Sequence, residues 1–221
     1  MDAGTALHEL RTSSHPGVAL LRDVLWVVGV VGGIALALFL IAGTWPAVVT
    51  IESESMVPNM NVGDLVLVVQ KDRYGEFQTW VEGSQSGYVS FGDYGDVIVY
   101  RPNGATHVHP IIHRAIVRVD ADEVDPFFEN PHAGYITKGD NNPVIDQGTY
   151  YGSVGVIEPV REEWIVGKAL ISVPLIGYLP LNIVPVAVFV IIVIIVHELF
   201  ISRRQDEEKP EEGQRSRQRK K

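Results

Sequence analysis

The chain has 221 residues, 46% of them hydrophobic, with no Cys and a formal net charge of −9. This length allows one medium-sized domain with membrane segments and excludes a large multidomain protein. Without Cys there is no disulfide framework, thiolate nucleophile or Cys-bound metal, so a nucleophile must be Ser, Thr, Asp or Lys. The 18 basic and 27 acidic residues argue against nucleic acid as a partner, because phosphate binding needs a basic surface.

The first predicted element is a transmembrane helix over residues 24–45. This stretch contains no charged residue and is long enough to cross the roughly 30 Å hydrocarbon core of a bilayer. Trp26 and Trp45 lie near its ends, where amphipathic rings favour the membrane interface. Because 23 residues precede the stretch, we interpret it as an uncleaved anchor, with residues 1–23 as a cytoplasmic segment.

Residues 46–180 are predicted to form a mainly β domain outside the cytoplasm. Short runs rich in β-branched residues and bounded by Gly, Pro, Asn or Asp indicate strands. These runs lie at 65–69, 96–100, 111–119 and 134–138. Residues 71–95 are rich in Gly, Ser, Tyr and Asp, and we interpret them as an inserted loop or hairpin. No amphipathic helix of useful length is expected in this domain.

A second transmembrane helix is predicted over residues 181–201. The apolar run that begins at Ala169 is interrupted by prolines up to Pro185, so its early part, 171–181, is expected at the membrane interface or in the folded domain. Lys and Arg near the outer ends of both spans place both termini in the cytoplasm and the middle domain outside. The tail, 202–221, has no apolar residues and is expected to be disordered. The predicted location is therefore the cell membrane, crossed twice.

Ser55 lies about ten residues beyond the first predicted span. Taken alone it could be an ordinary loop residue, because Ser is common in loops. The surrounding segment, however, resembles the Ser-x-Ser-Met-x-Pro nucleophile motif of the type I signal peptidases, and it reads Ser53-Glu54-Ser55-Met56-Val57-Pro58. The next segment is similar to the Gly-Asp strand that follows in that family, and it reads Val62-Gly63-Asp64-Leu65-Val66. Glu54 departs from the Gly that is usual between the two serines.

Three further segments continue the resemblance in the same order, so that it covers about residues 50–170. Residues 95–100 are similar to the next strand of the family, and residues 112–116 occupy the place of its general base. A His in that place, His113, resembles the archaeal and endoplasmic-reticulum branch, whereas bacterial members have Lys. The last motif of that branch, Gly-Asp-Asn with a second Asp six residues on, is similar to Gly139-Asp140-Asn141 followed by Asp146.

The resemblance implies a signal-peptidase-like catalytic domain that hydrolyses peptide bonds with a Ser-His-Asp triad and no cofactor. Ser55 is the expected nucleophile and His113 the expected base, since imidazole titrates close to neutral pH. Asp146 is the preferred carboxylate to orient His113, and Asp140 is the alternative. Ser53 is expected to place a hydroxyl beside the backbone N–H of Ser55 and so to complete an oxyanion hole.

The expected function is removal of signal peptides from exported preproteins, with cleavage after small residues. Preproteins and the lipid bilayer are the expected partners, and the protein export machinery is a further candidate. One alternative is a metal-dependent membrane hydrolase, because His107, His109 and His113 share one parity in an extended run. Pro110 interrupts that run, and no H-E-x-x-H pattern is present. A membrane-anchored binding module without catalysis is the other alternative.

Overall fold

The computed structural model describes residues 12–13, 15–124 and 131–182, and scattered positions between 184 and 196. The chain forms two compact units, Met1–Ile176 and Gly177–Lys221. The predicted site residues all belong to the first unit.

A long apolar helix, α1 (Pro16–Ala42), begins the first unit. The side chain of His15 accepts a hydrogen bond from the backbone N–H of Gly17, and Gly43 ends the helix in the left-handed conformation at φ 71°. Among the described residues, this is the one helix long and apolar enough to cross a membrane, and most of its large apolar side chains are exposed. These properties are consistent with a membrane anchor, in a helix that begins upstream of the stretch 24–45.

A β-sheet forms the centre of the first unit. The strands and the second helix are, in chain order, β1 (Val48–Thr50), β2 (Leu65–Val69), α2 (Trp80–Ser86), β3 (Val89–Ser90), β4 (Asp93–Tyr94), β5 (Val97–Tyr100), β6 (Ile111–Val119), β7 (Gly134–Lys138), β8 (Tyr150–Tyr151), β9 (Gly155–Val156) and β10 (Ile165–Val173). Six of them form one antiparallel sheet in the order β1-β2-β10-β5-β6-β7. Two small hairpins, β3–β4 and β8–β9, lie outside it.

The four strands predicted from the sequence are confirmed as β2, β5, β6 and β7. β1 and β10 were not expected, and β10 includes the first residues of the segment 171–181. No amphipathic helix of useful length was predicted for the domain, and the helix α2, which has seven residues, lies within the insertion 71–95. Thr79 and Glu82 start α2 with a capping box, in which each side chain satisfies a backbone N–H of the other. The described structure is therefore mixed, with a β-sheet core and an apolar N-terminal helix.

Apolar side chains cover both faces of the sheet. Every residue of β5 is buried, and its alternate residues enter two different clusters. Val97 and Val99 belong to the cluster that contains Met56 and Met60, and Ile98 and Tyr100 belong to the cluster that contains Ala115 and Tyr135. In the antiparallel register of β5 and β6, Ile98 pairs with His113 and Val97 pairs with Arg114. His113 and Arg114 therefore project from opposite faces of the sheet.

The C-terminal end of α1 packs directly on the sheet. Ala42 is buried in a small cluster with Ala47 and Val69. Two side chains of the segment after β2 donate hydrogen bonds to the last carbonyls of α1: Arg73 to Leu40 at 2.5 Å and Tyr74 to Ile41 at 3.0 Å. The helix and the sheet are consequently joined by packing and hydrogen bonds as well as by the chain.

The second unit contains the short helix α3 (Tyr178–Leu181) among its described residues. The predicted second span, 181–201, falls largely outside the described residues, and the positions that are described between 184 and 196 are helical. The predicted tail, 202–221, lies wholly outside the described residues. In the predicted cytoplasmic segment 1–23, residues 1–11 and 14 also lie outside them.

Candidate active site

Three of the predicted site residues lie together in one chain of hydrogen bonds. His113 Nε2 is 3.0 Å from Ser55 Oγ, and His113 Nδ1 is 2.7 Å from Asp146 Oδ2. His113 and Asp146 are buried, whereas Ser55 is partly exposed. Because an ionised carboxylate only accepts hydrogen bonds, Nδ1 carries the proton of the neutral imidazole and Nε2 accepts from the Ser55 hydroxyl. The arrangement can remove a proton from an accessible hydroxyl.

The segment after β1 presents Ser55 at the surface. Ile51 and Met56 are buried in the core on either side of it, so both ends of the segment are fixed. A turn follows Ser55, in which the backbone N–H of Val57 donates to the carbonyl of Glu54 and that of Met60 to the carbonyl of Met56. Ser55 is therefore held between two buried residues while its hydroxyl stays accessible.

Ser53 also lies beside the nucleophile candidate. Its Oγ is 3.1 Å from Ser55 Oγ, and its side chain is exposed. A hydroxyl at this place can donate to an oxyanion that forms on a carbonyl attacked by Ser55. The role assigned to Ser53 from the sequence stays a prediction.

Three donors converge on one carboxylate oxygen of Asp146. Besides His113, the hydroxyls of Thr137 and Tyr100 lie 2.7 and 2.9 Å from Oδ2. Burial alone would raise the pKa of Asp146, but the hydrogen bonds from His113, Thr137 and Tyr100 and the attraction to His113 outweigh it, so that this pKa is lowered. Burial, and next the charge of Asp146, raise the pKa of Tyr100 well above its usual value. At neutral pH the ionised carboxylate of Asp146 therefore accepts hydrogen bonds from the neutral hydroxyls of Tyr100 and Thr137.

The position of Asp146 depends on β7. Its backbone N–H donates to the carbonyl of Thr137 at 2.9 Å, and the side chain of Gln147 accepts from the N–H of Thr137 at 2.8 Å. The loop that leaves β7 thus returns alongside it. Since β7 pairs with β6, this return brings Asp146 next to His113.

Asp140 has different partners. Its carboxylate accepts from Arg114 Nε at 2.8 Å and Arg114 Nη2 at 2.7 Å, and from Asn59 Nδ2 at 2.7 Å. Arg114 projects from the face of the sheet opposite to His113. The structure therefore places Asp146, not Asp140, against the imidazole.

The three histidines of the alternative metal site do not meet. His107 Nε2 is 3.1 Å from Ser153 Oγ, and His109 Nδ1 is 3.3 Å from Glu52, both in exposed positions. His113 points to Ser55 and Asp146. In the part of the chain that the structure describes, no group of three or more His, Asp and Glu side chains is placed to hold a metal ion. A metal-dependent hydrolase is not favoured.

Several residues at the site were given no role from the sequence, although Gly139 and Asn141 belong to the quoted motif. Asn141 donates from its backbone N–H to the carbonyl of Ser55 at 2.8 Å and from its side chain to the carbonyl of Glu54 at 3.1 Å. Gly139 permits this close approach, because a Cβ there would lie 2.7 Å from the Ser55 carbonyl oxygen. The other missed residues are Asn59, Tyr100, Arg114 and Thr137. Arg114 could have been noticed, because an Arg between apolar residues of a predicted strand is expected to be buried with a charged or polar partner.

The chain is similar to known signal peptidase subunits. The chain matches no protein-family model. It is 29% identical over 142 residues to the signal peptidase complex catalytic subunit SEC11 of Yarrowia lipolytica, and 28% identical over 131 residues to that of Komagataella phaffii. Both relatives are catalytic subunits of signal peptidase complexes, and the chain is similar to them in sequence. The alignments cover 64% and 59% of this chain and 66% and 63% of the relatives, just under two thirds of their own length.

The protein should lose stability in acid through the buried carboxylate of Asp146. Its pKa is lowered by folding, so its contribution to the free energy of unfolding is complete above the usual carboxyl value of 3.8 and is lost as pH falls through the folded value. Wild-type protein and Asp146→Asn should therefore differ in melting temperature more at pH 6 than at pH 3. A difference that stays constant with pH would contradict the lowered pKa.

Proposed function

We propose that the chain is a membrane-bound serine endopeptidase, a signal peptidase I, that removes signal peptides from exported preproteins by cutting after small residues. The observation that carries this proposal is the hydrogen-bonded chain Ser55–His113–Asp146, with spacings of 3.0 and 2.7 Å. A nucleophile, a base and an orienting carboxylate in this order are what peptide-bond hydrolysis by Ser requires. The relatives, named as signal peptidase catalytic subunits, support the same reaction.

Acylation begins when Ser55 Oγ attacks the carbonyl carbon before the cleavage point. His113 Nε2 takes the hydroxyl proton as the new C–O bond forms, and Asp146 stabilises the imidazolium. The oxyanion accepts hydrogen bonds from the Ser53 hydroxyl and the backbone N–H of Ser55. When the intermediate collapses, His113 returns the proton to the leaving nitrogen and the C–N bond breaks. The mature protein leaves, and the signal peptide stays esterified to Ser55.

Deacylation repeats the same steps with water. His113 Nε2 removes a proton from water as its oxygen attacks the ester carbonyl, and the same donors stabilise the oxyanion. Collapse breaks the bond to Ser55 Oγ, which regains its proton from His113. The signal peptide is released with a carboxylate at its new C-terminus, and the enzyme returns to its starting state.

The sheet edge beside Ser55 supports binding of the substrate as an extended strand. β1 is the last strand on its side of the sheet, and β2 is its one strand neighbour in the described chain. β1 leads through Ile51 directly to the segment that contains Ser53 and Ser55. A preprotein strand that pairs with the open edge of β1 would place its scissile bond near Ser55 Oγ.

The proposed function is tested by incubating the purified full-length chain with a labelled preprotein and sequencing the N-terminus of the product. We expect one cut, directly after a small residue at the end of the signal peptide. A matched preprotein with a large aromatic residue at that place serves as the control and should remain intact. Absence of any cut in the first preprotein, or equal cutting of both, would contradict the proposal.

We further propose that the chain crosses the cell membrane twice. In this layout residues 24–45 and 181–201 span the bilayer, residues 46–180 form the extracytoplasmic catalytic domain, and residues 1–23 and 202–221 are cytoplasmic. The exposed apolar surface of α1 supports the first span. The export machinery is a further proposed partner, because preproteins emerge there on the outer face.

The layout predicts opposite labelling of two engineered cysteines. Because the chain contains no Cys, a single substitution gives one thiol and a clear signal. Ser84→Cys, at an exposed position of α2, should react with a membrane-impermeant maleimide in intact cells, whereas Ser216→Cys should react only after lysis. The reverse result would put the catalytic domain in the cytoplasm and contradict processing after export.

A further inference from the structure

The insertion 71–95 is built onto the core through a buried cation. Arg114 is only 1% exposed, and its guanidinium lies under the turn of the β3–β4 hairpin. Its Nη1 donates to the carbonyls of Ser90 and Gly95 at 2.8 and 2.9 Å, and its Nη2 donates to that of Phe91 at 3.2 Å. We call Ser90–Asp93 the insertion tip. A buried guanidinium needs partners for its N–H groups, so the tip satisfies Arg114 rather than merely covering it.

The insertion tip also touches the segment that follows Ser55. Phe91 packs against the apolar cluster that contains Met56 and Met60. Gly92, at φ 76°, lies so close to Asn59 that a Cβ added there would fall well inside 3.0 Å of Asn59 Oδ1, a separation that Cβ atoms essentially never show. The tip therefore packs on the turn that presents the nucleophile.

Two of the residues that the tip contacts, Arg114 and Asn59, bind the carboxylate of Asp140. Arg114 binds this carboxylate through two nitrogens, and Asn59 Nδ2 binds it at 2.7 Å. The residue after Asp140 is Asn141, which donates from its backbone N–H to the carbonyl of Ser55 at 2.8 Å. The insertion tip is thus connected to the backbone of Ser55 through the buried Arg114, the partly buried Asn59 and Asp140, and the exposed Asn141.

We propose that the insertion tip is a positioning element for Ser55, and this inference rests on the proposed function of the site. By holding Asn59 and Arg114 it fixes Asp140, and the loop of Asp140 and Asn141 in turn fixes the carbonyl of Ser55. Reaction rates depend steeply on such placement, since a displacement of about 1 Å in a reacting group can cost about a hundredfold. The insertion then belongs to the active site, although it contributes no group that touches the substrate.

Two glycines of the insertion give a matched test. Gly92 and Gly87 have nearly the same positive φ, at 76° and 80°, so Ala should add similar φ strain at both. A Cβ at Gly92 meets Asn59, whereas a Cβ at Gly87 meets nothing within 4 Å. Gly92→Ala can be accommodated if the Asn59 side chain moves away, which breaks its hydrogen bond to Asp140. The comparison therefore isolates the contact between the tip and Asn59.

We expect Gly92→Ala to lower kcat on a short signal-peptide substrate roughly tenfold to a hundredfold, with KM unchanged. Gly87→Ala should stay within about twofold of wild type in kcat, and Gly92→Ala should melt lower than Gly87→Ala because it also loses the hydrogen bond between Asn59 and Asp140. In the Asn59→Ala background, Gly92→Ala should cost little more, because the residue it displaces has been shortened. Equal kcat for Gly92→Ala and Gly87→Ala would overturn the proposal.

A second readout separates this inference from the proposed function. In full-length protein labelled with 13C at histidine Cε1, the signal of His113 reports the hydrogen bond from Ser55 and needs no substrate. It should shift in Gly92→Ala and stay unchanged in Gly87→Ala, even if no preprotein is cleaved. If Gly92→Ala does not fold, Asn59→Ala keeps the tip intact and should move the same signal. An unmoved signal in the folded variant would overturn the positioning role.

Discussion

Replacing Ser55 or His113 with Ala should lower the rate of preprotein cleavage by roughly 10⁴- to 10⁶-fold while leaving membrane insertion intact. Ser55→Ala removes the only hydroxyl that His113 Nε2 contacts among the described residues, and His113→Ala removes the base. Members of such a triad act as a unit, so either substitution should be nearly as damaging as both together. Initial rates on a labelled preprotein, with the product measured on a gel, give the loss of activity for each single variant and for the double variant.

The chain itself offers a matched control for these two substitutions. His107 and Ser153 form another Ser–His contact, with Nε2 and Oγ 3.1 Å apart, in an exposed position. Ser153→Ala and His107→Ala make the same chemical changes there and should leave the rate within about twofold, as is usual for surface substitutions. More than a tenth of wild-type activity in Ser55→Ala or His113→Ala would contradict the mechanism. Loss of activity in His107→Ala, together with inhibition by a chelator, would instead favour the metal-dependent hydrolase.

Asp146→Asn and Asp140→Asn should have separable effects. Asn at 146 loses the charge that stabilises the imidazolium and allows the wrong tautomer of His113, so we expect kcat to fall roughly 10³- to 10⁴-fold. Asn at 140 leaves the buried guanidinium of Arg114 facing a neutral amide, which should cost about 3 kcal/mol or more of stability. Its effect on kcat should be smaller, within about a hundredfold, because it acts on Ser55 only through the backbone.

The comparison needs kcat per folded molecule and a melting temperature for each variant. Asp146→Asn should mainly change kcat, and Asp140→Asn should mainly change the melting temperature. Measurements near neutral pH keep Asp146 ionised in the wild type, since its pKa is lowered. A larger loss of kcat in Asp140→Asn than in Asp146→Asn would reverse the roles that the geometry supports.

The residues of the candidate site could be named from the sequence because the short segments around them resemble the motifs of the type I signal peptidases. Ser55 is recognisable beside Ser53, Met56 and Pro58, and His113 lies in a β-branched run that predicts a strand. The strands could also be predicted, since their patterns are local and bounded by turn residues. β10 was not predicted as a strand because its apolar residues continue into the longer run that starts at Ala169, whose part 171–181 was predicted to lie at the membrane interface or in the folded domain.

The choice between the two carboxylates was decided only by the tertiary structure. Asp140 and Asp146 lie six residues apart in one loop, and local composition could rank them but not place them. The pairing of β7 with β6, and the return of the loop to Thr137, bring Asp146 to the face that carries His113. Asp140 binds Arg114, which projects from the opposite face of the sheet. Sheet register sets this difference, because successive residues of a strand point to opposite faces.

The sequence by itself determined which groups the chain carries: a long apolar segment, a serine in a segment that resembles a nucleophile motif, a histidine on a predicted strand and two candidate carboxylates. Only the tertiary structure decided which of these groups meet, and it alone connected the insertion 71–95 to Ser55. Composition and local periodicity depend on neighbours in the chain, so they are readable from the sequence. The contacts of Arg114 with Ser90 and Asp140 join residues about 25 positions apart, and such contacts follow from strand pairing and burial that no local pattern encodes.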